Sequence, residues 1–119
     1  MPFTTATATI THGNSLSTSV DCKAGTPWRL SIPDQWMPAP VVLLVSTDNV
    51  TFNPLLDKYG DVVVLPAMEN HWINLTAPVV FPTIGYLRIQ SGTQSAPVAQ
   101  DNGDMVITVV LQSLDKGAR

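Results

Sequence analysis

Residues 41–52 read Val41-Val42-Leu43-Leu44-Val45-Ser46-Thr47-Asp48-Asn49-Val50-Thr51-Phe52. An unbroken apolar run stops at a small polar cluster, then resumes with a β-branched residue and an aromatic. A short continuous apolar run suits a strand covered on both faces. Ser, Asp and Asn side chains bond their own backbone, and Asn and Asp tolerate left-handed geometry, so residues 46–49 read as a turn. The stretch is therefore strand, corner and strand, with Leu44 and Val45 in the core and Phe52 closing the edge. No catalytic partner adjoins Asp48 or Asn49.

The same pattern extends outward. Ten prolines and seven glycines are spread along 119 residues, so few windows escape a helix breaker. Short β-branched or alternating runs dominate instead. Thr7 to Thr11 reads as a strand or an extended arm, within an arm that spans residues 1–12. Leu16 to Val20, Val50 to Asn53, Trp72 to Leu75 and Tyr86 to Gln90 read as further strands. Trp28, Leu30 and Ile32 share one face of another. Val62 to Leu65 reads as a buried strand and Met105 to Leu111 as the longest. A helical turn is confined to Pro33 to Met37 or Pro66 to Asn70, and residues 113–119 read as a frayed tail. About eight strands with turns every 8–12 residues predict an all-β fold. It is a single-domain antiparallel sandwich or jelly roll with an extended N-terminal arm. Trp28, Phe52 and Tyr86 are the expected core aromatics.

Composition excludes several functions. Charged residues are only 13% of the chain, and the net charge is −3. Six scattered Lys and Arg cannot form the basic patch that nucleic acid requires, and anionic membrane is disfavoured for the same reason. No apolar run approaches the roughly 20 residues of a spanning helix. The N-terminus lacks a signal-peptide pattern, which implies synthesis in a cytosol. A lone cysteine, Cys22, rules out an intrachain disulfide and reads as a small semi-buried residue.

No catalytic constellation is visible. His12 sits beside Gly13-Asn14 and His71 precedes Trp72, and neither has ligand spacing to another group. Asp57 and Asp61 flank one turn, and Asp101 and Asp104 another. These carboxylates read as turn caps. Asp101 to Asp104 is too short for a calcium loop and lacks a distal bidentate Glu. Glu69 is the only glutamate, so a glycosidase pair would rest mostly on Asp. Asn49-Val50-Thr51 and Asn74-Leu75-Thr76 match the glycosylation pattern, which is uninformative without a secretory signal. The expectation is a non-enzymatic protein with no cofactor or metal.

Two features point to contact with a partner. Trp36 and Met37 lie in the Pro-rich connection Asp34 to Pro40. Trp36 is either an exposed interface anchor or a plug folded into one end of the sandwich. Residues 91–100 form an uncharged loop of small side chains that order easily and allow close approach. The candidate interface residues are Phe3, Trp36, Met37, Thr93, Gln94, Ser95, Pro97 and Val98. Few lysines guard the sheet edges, which predicts a homo-oligomer, a trimer.

A resemblance enters here. Trp28-Arg29-Leu30-Ser31-Ile32-Pro33 with Trp36, then Val45 to Phe52, Leu55 and Asp57-Lys58-Tyr59-Gly60, is followed by Tyr86 to Thr93 and Ala96 to Gln100. In this order, over residues 28–111, the pieces resemble small β-sandwich structural proteins of tailed bacteriophages. The resemblance implies a capsid decoration, or cement, protein on the outer shell, made in the host cytoplasm and bound to the major capsid protein. A second likeness is to discoidin-type galactose-binding sandwiches. Ser46, Asp48 and Phe52 match one of their motifs, and Tyr86, Arg88 and Ile89 match another. Asn49 stands where they carry Gly, and Gly85 where they carry Arg. That likeness implies the alternative, a tail- or fibre-associated carbohydrate-binding module, with Trp36 or Trp72 as the sugar platform.

Overall fold

The computed structural model describes residues 3–23, 25–57, 59–75 and 85–113. The described residues form nine strands and no helix. β1 is Phe3–Ile10, β2 Val20–Asp21, β3 Gly25–Ser31, β4 Val41–Ser46 and β5 Asn53–Pro54. β6 is Val64–Leu65, β7 Trp72–Asn74, β8 Tyr86–Ser91 and β9 Met105–Ser113.

Two antiparallel sheets result, one ordered β1-β9-β3-β7 and the other β2-β8-β4-β5, with β6 also on β4. β5 and β6 lie along the same side of β4, so they act as one interrupted strand. The chain is then a long antiparallel ribbon in which β1 pairs β9, β2 pairs β8, β3 pairs β7 and β4 pairs β5. Winding the ribbon sets β3 beside β9 and β4 beside β8. That is the jelly-roll solution to burying two apolar faces. The core lies between the sheets. Ala8, Ile10, Leu30, Ile107 and Val109 of the first sheet meet Val41, Leu43, Leu87 and Ile89 of the second. Val41 to Leu44 is buried at every residue, as its continuous apolar run requires.

Several expectations are corrected. The N-terminal arm is a regular strand: β1 pairs β9 from Phe3–Gln112 to Ile10–Met105. Its alternating Thr and Ala place Ala8 and Ile10 inward, and that burial holds it to the sheet. The second expected strand shrinks to a Leu16–Gln90 bridge followed by β2. Extension after the corner begins only at Asn53. Val62 bridges Leu56 and is partly exposed, as is Val64, because this segment forms a sheet margin. The proline-flanked segments 33–37 and 66–70 form turns without helix. Ser113 is the last residue of β9, opposite Gly25, and the rest of the expected tail lies outside the described residues.

The core aromatics also differ. Trp28 is 47% exposed, while Phe52 and Tyr86 are half-buried. In β3, Pro27 and Arg29 stand opposite the consecutive residues Leu111 and Val110, so Trp28 is the extra residue of a β-bulge. The bulge breaks the alternation that joined Trp28 to Leu30. Pro27 and Leu30 point into the core, and Trp28 and Arg29 both point out.

Candidate functional site

The corner at residues 46–49 is closed by its own side chains. Asp48 Oδ1 accepts from the Ser46 hydroxyl and from the backbone N–H groups of Val50 and Thr51, each at 2.9 Å. Ser46 Oγ in turn accepts from Asp48 and Asn49 N–H. Asn49 adopts the left-handed conformation, φ 62°. The Thr51 and Val50 N–H donors, followed by the Ser46 hydroxyl, hold the Asp48 carboxyl below its ordinary range. Its oxygen is committed to its own turn.

The other polar candidates are also structural. His12 Nε2 donates to the Asp101 carbonyl at 3.0 Å, and His71 Nδ1 to the Glu69 carbonyl at 2.8 Å. Asp57 Oδ1 accepts from Tyr59 and Asp61 N–H. Burial, with the nearby Asp21 charge second, pushes the Cys22 thiol up to about 12, so it carries no thiolate at neutral pH. Among the described residues no three His, Cys, Asp or Glu side chains group as a metal site. No helix there is long and apolar enough to cross a membrane.

The sequence-derived interface residues divide between the two ends of β9. Trp36, Met37 and the 93–98 loop gather near its start, around a residue that sequence reading passed over. Gln100 is fully buried. Its side chain accepts from Met37 N–H at 2.8 Å and donates to the Met37 carbonyl and Ser91 Oγ. Its backbone bonds Gly13 and Asn14. One amide thus ties the Pro-rich connection, the end of β8 and the first turn together. Trp36 is 4% exposed and donates Nε1–H to the Ala39 carbonyl at 3.1 Å. It is the plug, and its reading as an exposed anchor is overturned. Met37 is half-buried against the same clamp. In the loop, Thr93 and Ala96 exchange backbone hydrogen bonds and Gly92 bridges Pro97, leaving Gln94, Ser95 and Pro97 exposed and Thr93 and Val98 half-buried. The Ser91–Gln100 segment is therefore a short closed turn rather than a long loose loop.

Phe3 lies at the opposite end of β9 and belongs to a different surface. On the outward face of the first sheet, Phe3, Trp28, Trp72 and Val110 wall a groove of about 480 Å³. Thr5, Arg29 and Gln112 supply its polar atoms. β1, β9, β3 and β7 each contribute, because outward residues on these strands share one register. Phe3 is opposite Gln112, Thr5 opposite Val110, Val110 opposite Arg29, and Trp72 opposite Ser31. Phe3 is 68% exposed and Trp72 53%. The Arg29 guanidinium lies 5.7 Å from the Trp72 ring centre, within cation–π range. Among the described residues no carboxylate lines the groove. The sequence signal for this site was Pro27: a proline inside a paired strand marks a bulge, and a bulge re-aims the next side chain.

Comparison with protein-family models, with curated proteins and with solved structures found no match to this chain.

Proposed function

We propose that this protein is a non-enzymatic capsid decoration protein, bound to the major capsid protein on the outside of a tailed-phage shell and assembled there as a homotrimer. The observation that carries the reading is the free edge of β1. This strand, Phe3-Thr4-Thr5-Ala6-Thr7-Ala8-Thr9-Ile10, has no charge, no proline and no bulge along its pairing with β9. Edges of soluble monomers are ordinarily blunted by such devices. Thr9 directs its own N–H and C=O away from β9, to Thr18. By the two-residue period, Phe3, Thr5 and Thr7 direct theirs the same way, and among the described residues nothing pairs with them. An unguarded edge suits a protein that functions in an assembly. The closed turn at residues 92–98, held by Gln100, offers a rigid tip of small side chains for close approach to a shell. Jelly rolls serve capsids and lectins alike, so the fold leaves the choice to such surfaces.

Co-sedimentation with purified capsids tests the reading. The protein is expected to pellet with intact shells at a fixed stoichiometry. Recovery in the supernatant while shells pellet overturns it.

A further inference from the structure

We propose that the outward groove of the first sheet is a binding site for an acidic saccharide, with Trp28 and Trp72 stacking on sugar rings and Arg29 holding a carboxylate.

The bulge is the first reason. A tryptophan in the core contributes more burial than almost any residue, and a regular β3 would have placed Trp28 beside Leu30 inside. The bulge instead turns it outward, onto the face that already carries Trp72 and Phe3. Exposed large rings gathered in one concavity mark binding surfaces. The C–H-rich face of a pyranose is the natural partner for an indole ring. Thr5 and Gln112 add a hydroxyl and an amide to the lining for sugar hydroxyls.

Charge selects the ligand. Among the described residues that line the groove Arg29 is the only charged side chain, and no described carboxylate pairs with it. In a chain of net charge −3, a cation beside the Trp72 ring with no described carboxylate partner complements an anionic group. A second copy seated face to face would bring Arg29 to a surface with no carboxylate among its described residues. An acidic peptide lying across this face finds the β9 and β3 backbone groups already used by the β9–β3 and β3–β7 ladders, and it lacks the flat C–H-rich ring face that two indoles favour. A uronic-acid sugar satisfies ring faces, hydroxyl partners and cation together. This site does not depend on attachment to a shell.

The test uses the full chain and its tryptophan fluorescence. It is titrated with an oligogalacturonate, a neutral gluco-oligosaccharide of equal length and a penta-glutamate peptide. The oligogalacturonate is expected to bind most tightly, with affinity falling as salt rises. Trp28→Ala and Trp72→Ala should each weaken it about tenfold, the scale of one lost stacking contact. Arg29→Gln, an exposed change that leaves the core untouched, should bring acidic and neutral oligomers to the same affinity. Lys23→Gln, a cation outside the groove, should leave binding unchanged. The proposal is overturned if no saccharide binds, if acidic and neutral oligomers bind the native chain alike, if the peptide binds as tightly, or if Arg29→Gln keeps the preference.

Discussion

Two tryptophans eight residues apart take opposite roles. Trp36 sits in a connection rich in proline and is buried, its indole N–H satisfied by Ala39 only three residues away. Trp28 sits in a strand and is half exposed. Burial governs what each contributes. Trp36→Ala should lower unfolding stability by about 3–5 kcal/mol, the usual loss for removing a buried large ring. Trp28→Ala should stay within about 0.5 kcal/mol, as surface changes do. Urea unfolding of both variants measures the contrast, and equal losses would contradict it. The corner at residues 46–49 is held electrostatically. Asp48 has its folded pKa lowered, so its ionised form adds stability above the ordinary Asp value of about 3.9, and that increment disappears as pH falls through the folded value. Asp48→Asn keeps an acceptor oxygen but removes the charge. The native chain should therefore unfold at higher urea than Asp48→Asn near pH 7, and the gap should shrink below about pH 4. A gap that widens on acidification would show that the corner does not hold the ionised form.

Among the elements, β1 and β3 carry the consequences. β3 shows how a proline changes the reading of a strand: Pro27 lacks the ladder N–H, the register slips there, and the outer face gains Trp28. β1 shows how local pattern and pairing differ. Its Thr-Ala alternation is weakly apolar and suited an arm, yet eight residues pair in continuous register with β9. Its outer edge has a clean test. The Thr5 N–H points away from β9, so Thr5→Pro removes an edge donor and spares the ladder. The variant should keep its fold by circular dichroism and sediment as a monomer, where the native chain is expected to sediment as an oligomer. Thr4→Pro removes a donor to β9 and should instead destabilise the fold, by about 1 kcal/mol or more. A native chain that sediments as a monomer at micromolar concentration would rule out assembly through this edge.

At the scale of the whole molecule, the winding of the ribbon brings distant segments to one end, and Gln100 holds them. Its amide, itself fully buried, satisfies Met37 N–H, the Met37 carbonyl and Ser91 Oγ. Gln100→Leu keeps the volume but strands these groups, and each buried unsatisfied partner costs about 1–3 kcal/mol. Thermal unfolding should show one of the largest losses of any single polar substitution. A loss below about 0.5 kcal/mol would mean that water replaces the amide. Gly92 supports the same end. It has φ +85°, and a Cβ there would lie 2.5 Å from the Ala96 carbonyl oxygen, so the closed turn depends on glycine.

Much of the fold was legible in local chemistry. Breakers every few residues excluded helices, the Val41 to Leu44 run marked a strand buried on both faces, and the Ser46 to Asn49 side chains marked the corner. Period and turn chemistry act over two to four residues, which is why sequence carries them. The pairing of β1 with β9, the side of β3 on which Trp28 falls, the burial of Trp36 and the convergence on Gln100 depend on segments about 60 to 110 residues apart. The groove belongs to this second group. Phe3, Trp28, Trp72 and Gln112 share no local pattern, and only the register of four strands, shifted by one residue at the bulge, places them on one face.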